Sequence, residues 1–234
     1  MKQEIIQEFE EIIGYIFTDK DLIITALTHS SYSNENRLKR YGCNERLEFL
    51  GDAVLELVSS EYIYKENPDK PEGDLSRIRA SYVCEPTLAY CARQMSLGRF
   101  VMLGKGEEQT GGRDRDSILS DALEATIGAV YIDGGFDEAK GYIMRHVLND
   151  IDKKKMFYDS KSILQEIVQG RHLDMEYEVI SETGPDHDKV FTVSVNIDGK
   201  RLTQAGGHTK KKAEQAAAYQ AILILTETEK CNVS

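Results

Sequence analysis

Three acidic residues recur at helical spacing within the segment 44–55: Glu45, Glu48 and Asp52. An α-helix turns by about 100° per residue, so steps of three and four residues place all three carboxylates on one face. Most other side chains of this segment are apolar, which is typical of a buried helix. Like charges on such a helix repel one another and lose hydration unless a cation compensates them. The pattern therefore predicts a divalent metal site.

A second acidic pair, Asp121 and Glu124, has a three-residue spacing within the segment 117–131. Small side chains around this pair would let another helix approach closely: Ala122, Ala125, Gly128 and Ala129. The expected ligand set is Glu48, Asp52, Asp121 and Glu124. Because no histidine or cysteine has a matching spacing, these oxygen ligands predict Mg²⁺, with Mn²⁺ as a substitute, rather than zinc. The alternative is that the acids pair with arginines such as Arg46, Arg77 or Arg79.

The elements that must position these acids are helices of the first 150 residues. Apolar residues recur at helical spacing in five segments, 5–13, 22–27, 47–63, 78–95 and 118–132, and glycines at 134 and 135 predict a helix end. The polar, glycine-rich segment 105–116 predicts a mobile loop. It lacks both common phosphate-binding glycine patterns, so we expect no nucleotide cofactor.

After a short charged segment the periodicity changes from helical to alternating. Residues 161–170 predict a helix, residues 177–182, 191–197 and 200–207 predict strands, and residues 209–225 predict a second helix. Asp198-Gly199 is a strong signal for a two-residue hairpin turn. The expected fold is multidomain: an all-α domain (1–152), a linker (153–158), an α+β domain of order αβββα (159–228) and a tail (229–234).

Composition limits the function classes. The formal net charge is −11 and both predicted domains are acidic, which is opposite to the usual basic footprint of nucleic-acid-binding proteins, so any such affinity must come from local patches. No stretch is apolar enough to span a membrane, and the N-terminus does not resemble a signal peptide. The four cysteines include no C-x-x-C pair, which favours reduced thiols and a cytoplasmic protein.

Three segments carry a family resemblance. Residues 44–55 resemble the signature of ribonuclease III, the double-stranded-RNA endonuclease, and residues 72–79 and 117–133 resemble its second and third conserved blocks in the same order. The C-terminal part resembles the double-stranded-RNA-binding domain of that family. The resemblance implies Mg²⁺-dependent hydrolysis of double-stranded RNA to 5′-phosphate and 3′-hydroxyl ends with short 3′ overhangs. It also implies precursor ribosomal RNA, transfer RNA precursors and structured messenger RNAs as substrates.

The same resemblance assigns roles to individual acids. It implies that Asp52 and Glu124 are most closely tied to catalysis, and that Glu45 and Glu72 are accessory acids. Glu45 would also be favoured at the start of a helix by the helix dipole, and Glu72 precedes an expected N-cap at Asp74, so a purely stabilising role stays open for both.

Phe49 lies beside the acid strip rather than within the apolar arc of its helix. The resemblance implies that Phe49 packs into a partner subunit of a homodimer, in which each active centre cuts one strand. The alternative is an ordinary core aromatic. His29 matches a common family element, and we expect it to be a hydrogen-bonded structural histidine.

Three lysines follow an expected N-cap, Thr209, at the start of the last helix: Lys210, Lys211 and Lys212. Cations oppose the helix dipole there, so their placement makes sense if this helix end binds RNA phosphates. The resemblance adds Gln165, Glu166 and His187 as minor-groove contacts. The alternative is a solvated helix face. Ala205 stands where the family usually has glycine, and we expect it to restrict the backbone slightly because alanine tolerates positive φ poorly; its effect on RNA affinity stays open.

Two other function classes compete with the endonuclease. A non-catalytic double-stranded-RNA-binding protein would have no need of the four expected ligands together. A metal-dependent phosphohydrolase acting on small molecules would have no need of the C-terminal domain. The sequence therefore favours a cytoplasmic, homodimeric endonuclease that binds double-stranded RNA.

Overall fold

The computed structural model describes residues 3–38, 42–150, 160–184, 189–207 and 209–232. Contacts divide the chain into two compact units, Met1–Ile151 and Asp152–Ser234. The expected linker, 153–158, lies outside the described residues. Within the part of the chain that is described, no helix has the length and apolar character needed to cross a membrane.

The first unit is built from helices, which confirms the all-α prediction. They are α1 (Gln3–Ile13), α2 (Lys20–Ala26), α3 (Ser30–Glu35), α4 (Glu45–Glu66), α5 (Glu72–Tyr82), α6 (Glu85–Gln94), α7 (Lys105–Gln109) and α8 (Asp116–His146). Single 3₁₀ turns occur at Leu97–Arg99 and Gly112–Asp114. Helix α8 is the centre of the unit, with α4 and α6 packed against it, and the side chains between them form one apolar core.

Helix α8 changes direction at Gly135, whose φ of 83° lies in the left-handed region. The predicted helix end is therefore confirmed, although a further helical stretch follows at once and runs to His146. Asp133 fixes this point to the α1–α2 connection, because its carboxylate accepts hydrogen bonds from the Thr18 N–H, the Asp19 N–H and the Tyr15 hydroxyl, each at 2.8 Å.

Two sequence-based predictions for this unit are wrong. The segment 78–95 is not one helix: α5 ends at Tyr82 and α6 begins at Glu85, because the ring of Pro86 would clash with a carbonyl of the preceding turn in a continuous helix. The segment 105–116 is not a plain loop, since it contains α7 and a 3₁₀ turn. Arg113 holds it in place by donating to both Glu108 carboxylate oxygens at 2.6 Å and to the carbonyls of Gly98 and Val101.

The second unit has the predicted αβββα order. It consists of α9 (Ser160–Gly170), β1 (Met175–Thr183), β2 (Val190–Ile197), β3 (Lys200–Gly207) and α10 (Lys210–Asn232). The strands form one antiparallel sheet in the order β1-β2-β3. The two helices cover one face, and Leu164, Val195 and Ala217 are fully buried between helices and sheet. Helix α10 continues into the segment predicted to be a tail.

The β2–β3 connection confirms the predicted hairpin. Asp198 and Gly199 have φ values of 49° and 71°, as the two central residues of a type I′ turn require. This turn matches the right-handed twist of the two strands, and it fixes the register that brings Ile197 opposite Lys200.

Candidate functional site

Helices α4 and α8 cross in direct backbone contact. A Cβ atom added to Gly51 would lie 1.8 Å from the carbonyl oxygen of Glu124, and one added to Gly128 would lie 2.2 Å from the carbonyl oxygen of Leu47. No side chain larger than hydrogen fits at either position without moving a helix. The close approach predicted from the small residues of α8 is therefore present, and Gly51 is its counterpart on α4.

The crossing brings the two acidic pairs into one electrostatic environment. Glu48 and Asp52 flank Gly51 on α4, whereas Asp121 and Glu124 lie on α8. Burial raises the pKa of Glu124 to about 8, and the carboxylates of Asp52, Glu48 and Asp121 add to this effect in that order. Burial also raises the pKa of Glu48, again with contributions from Asp121 and Asp52. Residues far apart in sequence thus repel one another across the crossing.

The basic side chains of the described residues make their ion pairs elsewhere than with these four acids. Among the described residues, no ion pair joins a lysine or arginine to Glu48, Asp52, Asp121 or Glu124. Arg77 instead pairs with Asp74 at 3.4 Å, and Arg79 pairs with Glu56 at 3.7 Å. The alternative of arginine pairing therefore has no support within these residues. Burial raises the pKa of Asp121 as well, although the Ser120 hydroxyl opposes the shift.

The donor set suits a hard cation, because it consists of carboxylate oxygens with uncompensated negative charge. In the described ranges, no three or more His, Cys, Asp or Glu side chains are arranged so that they could already hold a metal ion. The four carboxylates lie on two helices, α4 and α8, and their side chains would have to turn toward an ion to coordinate it together.

The two accessory acids lie in different surroundings. Glu45 begins α4, and its charge contributes to the raised pKa of Glu48. Its position in the first turn is also the one that the helix dipole favours, so both interpretations stay open. Glu72 begins α5 and accepts a hydrogen bond from the Ser76 hydroxyl at 2.7 Å. The predicted N-cap at Asp74 is wrong, because Pro71 is the extended residue that precedes this helix.

His29 has the hydrogen-bonded role expected of it. It is the N-cap of α3: its Nδ1 accepts the Ser31 N–H at 3.2 Å and lies 2.8 Å from the Ser31 hydroxyl. His29 is close enough to Asp121 to lower the pKa of that carboxyl group, whereas Glu85 raises it. Glu85 begins α6, and no spacing in the sequence relates it to the other acids.

Phe49 is 80% exposed, so the alternative of a core aromatic is wrong. It is one of the residues that line a pocket of about 600 Å³ between α2, α4 and the middle of α8. The walls of this pocket include Leu22, Leu50 and Ile132, and Ile132 is itself 52% exposed. An exposed aromatic side chain and an apolar pocket therefore share one surface.

The start of α10 has the predicted cap. The Thr209 hydroxyl accepts the Lys212 N–H at 3.1 Å, and the side chains of Lys210, Lys211 and Lys212 are exposed in the first turn. Gly207 permits this geometry, because a Cβ atom there would lie 2.5 Å from the Ala213 nitrogen.

The structure describes two of the three remaining predicted RNA contacts. Gln165 and Glu166 are exposed on α9, and His187 lies outside the described residues. Ala205 has no positive φ and pairs with Val193 as an ordinary strand residue, so the expected backbone restriction is wrong.

Two family models match the chain. The ribonuclease-III-like model matches residues 19–151, and the model of the double-stranded RNA binding motif matches residues 160–225. Each model therefore covers one of the two units described above. Together they define a nuclease domain joined to a double-stranded-RNA-binding domain.

Similar proteins agree with these matches. A ribonuclease 3 from Caldanaerobacter subterraneus subsp. tengcongensis is 48% identical over 217 residues, which cover 91% of this chain and 95% of that protein. A ribonuclease 3 from Streptococcus pneumoniae is 51% identical over 209 residues, which cover 88% and 90%. The chain belongs to the ribonuclease III family. It is of the bacterial type and is an endoribonuclease, so the two rival function classes are not favoured.

A solved structure supports the fold of the first unit. The nuclease domain of ribonuclease III from Campylobacter jejuni is 46% identical, with a TM-score of 0.57, and the match covers 61% of this chain and 95% of that chain. The work on that domain concerns structural flexibility in a region involved in dimer formation.

Proposed function

We propose that this chain hydrolyses phosphodiester bonds of double-stranded RNA at the acidic face where α4 and α8 cross, with Mg²⁺ as its metal and Mn²⁺ as a substitute. The observation that carries the proposal is the backbone contact at Gly51 and Gly128, which joins two acidic pairs without a basic partner among the described residues. Oxygen-only ligands and their mutual repulsion both favour a divalent hard cation.

Four residues would hold the metal: Glu48, Asp52, Asp121 and Glu124. When bound, such a metal lowers the pKa of a water molecule and stabilises charge on the leaving 3′-oxygen. Asp52 and Glu124 are the acids that we tie most closely to the reaction. Glu124, with its pKa of about 8, holds a proton at neutral pH in the metal-free protein and must release it to act as a ligand. Glu45 would support the site from the first turn of α4, and Glu72 would support it from the first turn of α5.

The second unit would hold the RNA. A-form duplexes are recognised mainly by shape, phosphates and 2′-hydroxyl groups, and the exposed lysines 210–212 at a capped helix start suit the phosphates. Gln165, Glu166 and His187 are the residues that we assign to the minor grooves. Precursors of ribosomal and transfer RNA and structured messenger RNAs, processed in the cytoplasm, are the substrates that we expect.

We also propose that the active form is a homodimer. In a two-fold arrangement, Phe49 of each subunit could enter the apolar pocket beside Phe49 of the other, because the same surface carries both features. The dimer-forming region of the Campylobacter jejuni domain makes such an assembly a reasonable expectation here.

Sedimentation tests this assembly. Phe49→Ser should shift the protein from dimer to monomer at micromolar concentration. Ile16→Ser is the matched control, since Ile16 is similarly exposed at 78% but lies elsewhere, and it should leave the dimer intact. A wild-type monomer, or a Phe49→Ser dimer, would contradict the proposal.

Cleavage of a labelled RNA duplex tests the assigned acids. Asp52→Asn and Glu124→Gln should each lower the cleavage rate by at least about a hundredfold while the full chain still binds the duplex. Glu56→Gln is the control, because Glu56 lies on the same helix but pairs with Arg79, and its activity should stay within about twofold of wild type. Unimpaired cleavage by Asp52→Asn or Glu124→Gln would refute the assignment.

A further inference from the structure

One carboxylate in the second unit pairs with two lysines, and one of them, Lys210, belongs to the expected RNA-binding residues. The Oε1 atom of Glu182 is 3.4 Å from the Lys210 ammonium nitrogen, and its Oε2 atom is 3.7 Å from that of Lys189. Lys210 also lies over the ring of Phe191, at 5.6 Å from its centroid. Glu182 is therefore a shared anionic partner for a lysine before β2 and a lysine at the start of α10.

A β-bulge in β1 orients the side chain of Glu182 toward the start of α10. Up to Val179, alternate β1 residues face the helices, because Val179 pairs with the buried Val193 of β2. The register then shifts, so that Ser181 pairs with Thr192 and Glu182 pairs with Phe191. Phe191 and Val193 are two residues apart and share a face, so Glu182 is on the helix-covered side of the sheet.

Without the extra residue, Glu182 would point the other way. Side chains alternate along a strand, so Glu178 and Glu182 would share the face opposite to the helices in a regular β1. Glu178 is in fact on that opposite face, where its carboxylate accepts a hydrogen bond from the Asn196 amide at 3.3 Å. The bulge therefore places Glu178 and Glu182 on opposite faces of the sheet, and of these two only Glu182 reaches Lys189 and Lys210.

We propose that Glu182 limits the affinity of the chain for double-stranded RNA. Its carboxylate pairs with Lys189 and Lys210 in the free protein, and an RNA phosphate that approaches these lysines must displace it or bind beside its charge. The inference rests on the proposed RNA-binding role of the lysines at the start of α10. It also means that the charge of Lys210, at the start of α10, is partly neutralised until RNA binds.

The test is the affinity of the full chain for a labelled RNA duplex in EDTA. Glu182→Gln keeps the size of the side chain and removes its charge. Because Lys189 and Lys210 then lose this anionic neighbour, RNA binding should tighten by about two- to tenfold at low salt. Screening should remove most of this gain at high salt. Glu178→Gln is the matched control: it removes the same charge from the same strand and should change affinity by less than about twofold.

A double-mutant cycle separates this local effect from net charge. In a Lys210→Gln background, Glu182→Gln should tighten binding clearly less than in the wild-type background, because one of its two ion pairs is already absent. Equal tightening by Glu178→Gln, no tightening by Glu182→Gln, or an unchanged effect in the Lys210→Gln background would overturn the proposal. A wild-type chain that fails to bind the duplex at all would instead refute the proposed function, and this inference with it.

Discussion

Replacing Glu124 by glutamine should stabilise the metal-free protein at high pH while it impairs cleavage. The folded state raises the pKa of Glu124 from its ordinary 4.5 to about 8, chiefly through burial and then through the carboxylates of Asp52, Glu48 and Asp121. The folded protein therefore holds a proton that the unfolded chain releases between these two values. The stabilising contribution is complete below about pH 4.5 and is lost as the pH rises through about 8.

The size of the effect follows from the two pKa values. They differ by about 3.5, and at about 1.4 kcal/mol per pH unit the ceiling is roughly 5 kcal/mol. Because the Glu124 side chain is partly exposed, water screens the repulsion, and we expect about 1–3 kcal/mol. Glutamine resembles the protonated acid, so the variant should exceed wild type by this amount near pH 9 and by a smaller amount, less than about 1 kcal/mol, near pH 5.

Urea unfolding in EDTA at pH 5, 7 and 9 measures the difference directly. Added Mg²⁺ should then reverse the order, because a ligand that binds only the folded state stabilises the protein that binds it more tightly. Glu56→Gln serves as the control and should show no comparable gain at pH 9. A Glu124→Gln variant that gains nothing at pH 9, or gains as much at pH 5, would refute the account of a repulsive carboxylate face.

Three further predictions concern backbone packing and loop anchoring. Gly51→Ala should destabilise the protein by about 3 kcal/mol or more and abolish cleavage, because its Cβ would lie 1.8 Å from a backbone oxygen of α8. Gly106→Ala is the control: its Cβ meets no atom within 4 Å, so it should leave the stability measured by urea unfolding nearly unchanged. Asp133→Ala should lower the free energy of unfolding by about 1–3 kcal/mol in the same assay, because the donors of the α1–α2 connection lose their acceptor. Asp133→Asn should lower it by less, and equal losses would contradict the hydrogen-bond explanation. Gly207→Ala should weaken duplex RNA binding, because its Cβ would lie 2.5 Å from a nitrogen in the first turn of α10, whereas Gly206→Ala meets only ordinary contacts from 3.7 Å and should bind normally in a gel-shift assay.

Local spacing is sufficient to predict much of the fold and to place the acids of the candidate site on one face of each helix. Acids at helical spacing identified one face of α4 and one of α8, and Asp198-Gly199 identified the hairpin because few residues tolerate two successive positive φ values. The break before Pro86 follows from an equally local rule. It was missed because the apolar periodicity continues across the junction between α5 and α6.

The spacing of residues along the sequence does not predict which side chains from different helices or strands lie close together. Nothing in the sequence relates Glu85 to Asp121, because their proximity depends on how α6 packs against α8. The role of Gly51 depends likewise on a partner helix about seventy residues away in sequence. The orientation of Glu182 depends on a one-residue bulge, and a regular alternation would have assigned it to the wrong face of the sheet.

The most direct test of the central claim is cleavage of a long, fully paired RNA by the wild-type chain with Mg²⁺, with Ca²⁺ and with EDTA. We expect short duplexes with 5′-phosphate ends in the presence of Mg²⁺ only, because the acids at the α4–α8 crossing would then hold a metal that supports the reaction. RNA that stays intact in all three conditions, yet still shifts on a gel, would contradict the claim and leave a double-stranded-RNA-binding protein without nuclease activity.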